Sequence, residues 1–191
     1  MGIRVCTACM LLTAVGCGSS ATPTVDRQLT QPHGGSPPGK TGDSQMLTDP
    51  KGRFSVTFPV VPAPLPPPSG GGSDSPVQLA IWEARDGDTK YILSVIYASA
   101  EFFDAKFDLN ELASGGTNNP YWRVVNRKTV TTDGQPGRQV EYAATDELRS
   151  SVSVFTRYKG TVVTMSVNGL AGLTAESEAA KAFFASFRFT R

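Results

Sequence analysis

The sequence predicts an α+β domain in which helices pack against a mostly antiparallel sheet of about six to seven strands. Three observations support this prediction. Several segments alternate apolar and polar residues with a period of two, and short turns containing Gly or Asp join most of them directly. Two other segments place apolar residues at helical spacing. Strands joined by such short turns must run antiparallel.

The first strand is predicted over 53–58, where Phe54, Val56 and Phe58 alternate with polar residues. An alternation of this kind is typical of a strand with one buried face. Six more strands follow from the same reasoning and from turns at Asp86-Gly87, Asp133-Gly134 and Lys159-Gly160. They are 77–85, 90–98, 122–131, 138–144, 151–158 and 162–167. The second of these is apolar on both faces, which indicates a central strand, and the last four form a meander.

A proline- and glycine-rich insertion occupies residues 59–76 and holds seven of the fourteen prolines. We expect an exposed loop there, stiff at first and flexible after Ser69. Pro64 and Pro67 have the PxxP spacing that binds aromatic grooves. An insertion tolerated between two strands is the simpler interpretation of the same residues.

Two helices are predicted. The first covers 101–113, with Phe103 and Phe107 at helical spacing, and ends before a Ser-Gly-Gly sequence. The second begins after Thr174, a residue that favours the N-cap, and carries an apolar stripe that should lie on the sheet. The stripe consists of Ala180, Phe183, Phe184 and Phe187.

The composition excludes several classes of function. The chain has 191 residues, with 18 Lys and Arg against 17 Asp and Glu, so it has no charge excess that would attract a nucleic acid. The cysteines are Cys6, Cys9 and Cys17, and the one histidine is His33. The folded part therefore lacks a disulfide, a thiol nucleophile, a histidine base and the usual zinc ligands. We expect no enzyme, no cofactor and no metal site.

The N-terminus has the pattern of a lipoprotein leader. Residues 1–16 supply one basic residue, Arg4, and a short apolar stretch, as a signal peptide does. The stretch ends in Ala-Val-Gly before Cys17, which resembles the bacterial lipobox, in which that cysteine receives the lipid. This resemblance implies lipidation (palmitate among the acyl chains) at Cys17 and a membrane-anchored location in the cell envelope, facing the periplasm or the cell surface. The alternative is an ordinary secretory leader that leaves Cys17 as a free thiol.

Between the leader and the domain lies a polar stretch, residues 17–45, that is rich in Pro, Gly and Ser. It cannot bury enough apolar surface to offset the entropy of ordering, so we interpret it as a flexible tether. His33 falls inside it, where no second imidazole is available to share a metal. The folded domain is then a single unit over 46–191.

Several short pieces of the domain resemble a broad set of small bacterial envelope proteins of the planctomycete lipoprotein type. They are GRFSVTFP, DGQPGRQVEY, RYKGTVVTMSVNG and AAKAFFASFRF. The fold of that set is similar to that of PsbP and Mog1, and its members are generally binding or assembly modules without catalysis. The resemblance covers 47–190 and rests on turn glycines and core positions, so it implies a fold but assigns no functional residue.

The clusters of charged residues do not indicate a specific catalytic or metal site. Glu101, Asp104, Asp108 and Glu111 fall on and around the first predicted helix, and a solvated acidic face explains them better than a calcium or glycosidase site. The segment 121–160 carries seven basic and four acidic residues, a net charge of +3 that can meet an anionic lipid or polysaccharide. Scattered solubilising charge is the simpler interpretation. The basic residues are Arg123, Arg127, Lys128, Arg138, Arg149, Arg157 and Lys159.

Two functional hypotheses remain open from the sequence. One is a lipid-anchored binding or assembly module that docks an envelope protein. The other is a carrier of a small apolar ligand held between sheet and helix, for which the candidate contacts are Tyr91, Phe103, Phe107 and Trp122. Core packing also explains these four aromatic residues. A closed core or an apolar cavity would separate the two hypotheses.

Overall fold

The computed structural model describes residues 44–66, 77–99, 101–102, 108–114 and 120–191. The strands are β1 Gln45–Thr48, β2 Phe54–Phe58, β3 Ala63–Leu65, β4 Gln78–Asp86, β5 Thr89–Tyr97, β6 Trp122–Thr132, β7 Gln135–Ala144, β8 Arg149–Tyr158, β9 Thr161–Leu170 and β10 Arg188–Phe189. The helices are α1 Leu109–Ser114 and α2 Glu178–Ser186. The predicted leader, most of the tether, Cys17, His33, Phe103, Asp104 and Phe107 lie outside the described residues.

The strands form a seven-stranded sheet in the order β3-β4-β5-β9-β8-β7-β6 and a three-stranded sheet in the order β1-β2-β10. All strand pairs are antiparallel. This confirms the predicted α+β fold, the hairpin β4–β5, the internal position of β5 and the meander β6 to β9. The sequence did not predict the separate small sheet, whose outer strands β1 and β10 are four and two residues long.

The turns follow the expected chemistry with one shift. Asp133 and Gly134 have φ values of 46° and 79°, and Lys159 and Gly160 have 43° and 69°, the left-handed pairs of two-residue hairpins. The turn between β4 and β5 was placed one residue too early, because Asp86 pairs with Thr89 and the loop is therefore Gly87-Asp88. Gly87 supplies the positive φ of 56° at its first position.

The core lies between one face of the large sheet and a layer made by the small sheet and α2. We call that face of the large sheet the core face. Phe183 of α2 contacts Phe58 with ring centroids 5.0 Å apart and Tyr91 at 5.4 Å. Phe54 stacks on Phe187 at 5.6 Å. Burial of these large side chains is the main source of stability for the domain.

A buried polar cluster ties the small sheet to the large one. The hydroxyl of Tyr97 on β5 donates to the carboxylate of Asp49, which follows β1 and is 3% exposed. The other oxygen of Asp49 accepts the backbone N–H of Arg53 at 3.0 Å. The Arg53 guanidinium in turn donates to Thr161 Oγ1 at 2.8 Å. Burial, followed by the Asp49 contact, raises the pKa of Tyr97 well above its ordinary value.

Part of the predicted insertion 59–76 is a strand instead of a loop. Ala63–Leu65 forms β3 and extends the edge of the large sheet, with Pro64 opposite Trp82. An edge strand tolerates proline because the nitrogen that lacks a hydrogen can point away from the ladder. Pro67 lies outside the described residues, so the PxxP hypothesis stays untested.

The predicted helix 101–113 is not continuous. Residues 101–102 are helical, but Asp108 is outside any helix and α1 begins at Leu109. The Asp108 side chain accepts the backbone N–H of Asn110 at 2.8 Å, which starts a new helix in the manner of an N-cap. The last helix also starts later than predicted. Thr174 accepts the N–H of Glu176 at 3.3 Å within a turn, and α2 begins only at Glu178.

Candidate functional site

The second face of the large sheet, which we call the outer face, points away from α2 and the small sheet. Helix α1 lies against it over β7 and β8. Ala113 of α1 and Val140 of β7 are both buried there. The hydroxyl of Tyr142 on β7 donates to the carbonyl of Ala113 at 3.5 Å. These contacts fix the helix on the sheet, and its first residues border an open space.

That space is a groove of about 320 Å³ between the start of α1 and one end of β7 and β8. We call it the arginine groove because two guanidinium groups lie in its wall. Its lining residues are Asp108, Leu109, Asn110, Pro136, Gly137, Arg138 and Arg157. The lining is mixed in character, so the groove suits a ligand that is polar or charged at one end.

Hydrogen bonds to neighbouring side chains orient Arg138. Its Nε donates to Asn110 Oδ1 at 2.6 Å, and its Nη1 donates to Thr129 Oγ1 on the adjacent strand β6. Asn110 is itself held, because its Nδ2 donates to Asp108 Oδ1 at 3.0 Å. A guanidinium fixed in this way is organised to recognise an anion in a forked geometry.

The sheet register brings Arg157 next to Arg138. Arg138 lies opposite Phe155, and Arg157 is two residues further along β8 on the same face. Diagonal neighbours of this kind have Cα atoms about 7–8 Å apart. Among the described residues of the groove wall, the two arginines stand against one acidic residue, Asp108, so these residues carry a net charge of +1.

Gly137 allows β7 to approach β8 closely beside the groove. A Cβ at this position would lie 2.8 Å from the carbonyl oxygen of Phe155, closer than real Cβ atoms come. Glycine is therefore required by the local backbone, and it keeps the strands that carry Arg138 and Arg157 in register.

Tyr142 lies further along the same face. Burial raises the pKa of its hydroxyl, while the positive charge of Arg127 on β6 acts in the opposite direction. The net result is a pKa above the ordinary value, so this tyrosine is a neutral hydrogen-bond donor at physiological pH. Its hydrogen bond to the carbonyl of Ala113 supports α1.

The described residues of the groove have the chemistry to bind an anion. Its described lining contains one carboxylate and two guanidinium groups. Within the part of the chain that the structure describes, no three His, Cys, Asp or Glu side chains come together to hold a metal. Nor is any described helix both long and apolar enough to cross a membrane.

Of the four aromatic residues suggested for an apolar ligand, the two that the structure describes, Tyr91 and Trp122, lie apart. Tyr91 is 4% exposed and packs in the core against Phe183. Trp122 starts the edge strand β6, four strand positions away from β5, or about 19 Å at the usual strand spacing. Phe103 and Phe107 lie outside the described residues. The layer between α2 and the sheet is filled by buried aromatic side chains.

The structure places the charged residues of the two predicted clusters in different surroundings. Asp108 is part of the groove, Glu101 and Glu111 are exposed, and Asp104 is outside the described residues. The basic segment divides between the two faces of the sheet, and two of its members line the groove. Lys128 lies on the core face and bridges to Glu176 at 3.7 Å.

The sequence carried no signal for the other residues of the groove. Asn110 and Thr129, which orient Arg138, and Pro136, which lines the groove, belong to no motif, and their positions depend on the register of the strands and on α1. A signal for the arginines themselves was available. Once the hairpin turns fix the register, Arg138 and Arg157 must fall on the same face of neighbouring strands.

Comparison with known proteins identifies the class of fold. No family model matches the chain, and no curated protein sequence matches it. Among solved structures, PsbP (CyanoP) from Synechocystis sp. PCC 6803 is similar over 85% of this chain and 99% of its own, with a TM-score of 0.54 and 13% sequence identity. The chain therefore has a PsbP-like fold.

A second solved structure is LpqN of Mycobacterium tuberculosis, a protein involved in cell envelope biogenesis. It is similar over 78% of this chain and 93% of its own, with 16% identity. Its TM-score of 0.38 is too low to support an argument about this chain. Both neighbours fall below the identity at which more than a fold can be compared.

Proposed function

We propose that this chain is a non-catalytic binding module, held at the bacterial cell envelope by a lipid on Cys17, that docks an acidic segment of an envelope protein in the arginine groove. The observation that carries the proposal is the pair Arg138 and Arg157 on neighbouring strands, with Arg138 already oriented by Asn110 and Thr129. The PsbP-like fold and the anion-binding chemistry of the described groove residues support a binding role.

The groove favours a protein carboxylate over other anions for two reasons. Its wall contains Leu109 and Pro136 beside the guanidinium groups, so it offers apolar contact for a peptide stem next to a charged end. Among the described residues of the wall there is no aromatic ring on which a sugar could stack. An arginine fork can bind the carboxylate of a Glu or Asp side chain through two parallel hydrogen bonds.

The apolar carrier is the weaker alternative. It needs a space between the sheet and α2, and Phe183, Phe58 and Tyr91 fill that layer with ring contacts of 5.0 and 5.4 Å. We therefore place the binding function on the outer face.

Anchoring is tested by Cys17→Ser in the native host. Because Cys17 is the one candidate for acylation after the leader, the variant should lose palmitate labelling and move from the membrane fraction to the soluble fraction. Unchanged partitioning of the variant would overturn the lipid anchor without touching the groove.

Binding is tested on the full chain carrying Cys17→Ser, with a short glutamate-rich peptide, its glutamine counterpart and inorganic phosphate as three separate probes. The Nε–H resonances of Arg138 and Arg157 are followed by NMR. The glutamate peptide should shift both resonances and the glutamine peptide neither. The double variant with Arg138→Gln and Arg157→Gln loses charge-assisted hydrogen bonds. It should therefore bind the glutamate peptide about tenfold more weakly, or weaker still.

The matched control is the pair Arg123→Gln and Arg149→Gln, which removes the same charge from exposed positions outside the groove. It should bind the glutamate peptide as the parent chain does. Equal weakening by both pairs would mean that net charge, and not the groove, attracts the peptide. Phosphate binding as tight as that of the peptide would replace the proposed protein partner by a free oxyanion.

A further inference from the structure

Three large apolar side chains are exposed together at one end of the large sheet. Tyr121 is 70% exposed, Leu148 67% and Leu170 61%. We call these three residues the sheet tip. Isolated exposed apolar residues are ordinary on a protein surface, but a cluster of them needs a reason.

Backbone hydrogen bonds hold the segments of the sheet tip side by side. The N–H of Thr145 donates to the carbonyl of Tyr121 at 3.0 Å, and the N–H of Ala171 donates to the carbonyl of Leu148 at 3.0 Å. Leu170 is paired with Arg149, the residue next to Leu148. The tip therefore spans the ends of β6 to β9, about 14 Å at the usual strand spacing.

The chain enters the domain on the side of the sheet tip. Gln45, the first residue of β1, pairs with Phe58, and Phe58 packs against Phe183, which contacts Tyr91 near the β4–β5 turn. That turn is at the same end of the sheet as Leu170, because β5 starts where β9 finishes. The other end of β2 is tied to the opposite end of the sheet through Arg53 and Thr161.

We infer that the sheet tip contacts the lipid bilayer beside the point where the N-terminal segment reaches the domain. The inference rests on the proposed lipid anchor at Cys17, which precedes β1 in the chain. Tyrosine suits the boundary between headgroups and acyl chains, since its ring is apolar and its hydroxyl remains hydrated, while Leu148 and Leu170 can enter the apolar layer.

The charges around the sheet tip are balanced. Arg123 bridges to Glu147 at 3.5 Å, and Asp146 lies in the turn that leads into Arg149, the first residue of β8. The contact is therefore driven by apolar burial, and salt should affect it little. The arginine groove lies at the opposite end of the sheet, where Pro136 and Gly137 follow the Asp133-Gly134 turn. Contact through the tip would direct the groove away from the membrane.

The test uses the full acylated chain bound to vesicles of phosphatidylethanolamine and phosphatidylglycerol with brominated acyl chains, at lipid concentrations that bind all of the protein. Leu148→Trp places a fluorophore at the sheet tip, and Lys159→Trp places one at the opposite end. The emission of the parent chain, which contains Trp82 and Trp122, is subtracted. Near-ultraviolet circular dichroism checks that both variants keep the fold.

The added emission of Leu148→Trp should be largely lost on brominated lipid, and that of Lys159→Trp should be retained, at low and at high salt alike. Equal quenching of the two, or quenching of Lys159→Trp alone, would overturn the inference. If the tryptophan of Leu148→Trp is shielded from water but is not quenched by brominated lipid, and the shielding depends on protein concentration, then the tip binds a second copy of the chain. That result would also overturn the inference.

Failure of the lipid anchor gives a different result. In that case the parent chain and Cys17→Ser would bind the vesicles equally, whatever the quenching pattern. The contact of the sheet tip with lipid is then tested on the vesicle-bound protein alone, by comparing the quenching of Leu148→Trp with that of Lys159→Trp.

Discussion

The two faces of the seven-stranded sheet differ in what covers them. The core face is covered by α2 and the small sheet, and its contacts are aromatic rings such as Phe58, Phe183 and Phe187. The outer face is covered over β7 and β8 by the six-residue helix α1, and it exposes a groove with two arginines. The difference indicates that the core face supplies stability and that the outer face is available for binding.

Replacing a large core side chain should have the largest effect on stability. Phe183 is 2% exposed and touches rings from β2 and β5, so Phe183→Ala should leave a cavity and lower the free energy of unfolding by about 3–5 kcal/mol. Denaturant titration measures this loss. The outer-face variant Arg149→Gln, at an exposed position at the start of β8, should change stability by no more than about 0.5 kcal/mol. Similar losses in both variants would contradict the division between the faces.

The buried link between the sheets should come next. Tyr97→Phe removes the donor to Asp49 and leaves that buried carboxylate with one partner fewer, which should cost about 1–3 kcal/mol. Tyr158→Phe is the control, because the Tyr158 hydroxyl has no hydrogen bond among the described residues and its ring still packs on Phe189 at 5.1 Å. It should be close to neutral. A neutral Tyr97→Phe would mean that the link adds nothing to stability.

Alkaline pH tests the same link. Burial raises the pKa values of Tyr91, Tyr97 and Tyr142 above their ordinary value. The folded chain then holds these protons more tightly than the unfolded chain does. The contribution of the tyrosines to the free energy of unfolding is therefore fully present below pH about 10 and is lost as the pH rises beyond it. Tyr97→Phe should make this fall shallower in urea titrations. An unchanged slope would exclude Tyr97 as a source of the effect.

A smaller contrast lies within the outer face itself. Ser94 is 3% exposed, and its hydroxyl has no hydrogen-bond partner among the described residues. Ser94→Ala should therefore be neutral or stabilise the domain slightly, since a buried unpaired group is removed. Ser153→Ala is the counterpart, because Ser153 shares a hydrogen bond of 2.8 Å with Ser166, and it should cost about 0.5–1.5 kcal/mol. The reverse order in thermal melts would contradict this assignment.

The sequence predicted the fold more fully than the site. The large sheet was predictable because strand alternation and the glycines of the turns, such as Gly134 and Gly160, are local signals. The small sheet was not, since β10 has two residues and forms only because Phe189 meets Phe54 across the chain. Its pairing depends on tertiary contacts that no short segment encodes.

The groove was predictable only in part. Arg138 and Arg157 belonged to the basic segment noted in the sequence, and only the strand register set by the hairpin turns separates them from Lys128 on the other face. Their orientation depends on Asn110, which reaches the sheet because the chain starts a new helix after Asp108. A side chain supplied by a distant element leaves no mark in the sequence around the arginines.

Crosslinking in intact cells tests the proposed docking of an acidic protein segment in the arginine groove. Leu109, in the groove wall, is replaced by p-benzoylphenylalanine, with the same replacement at Val61, which is 71% exposed elsewhere, as the control. We expect a crosslinked protein at position 109 that disappears with Arg138→Gln and Arg157→Gln and persists with Arg123→Gln and Arg149→Gln. The same crosslink in all backgrounds, or at position 61 as well, would contradict the claim.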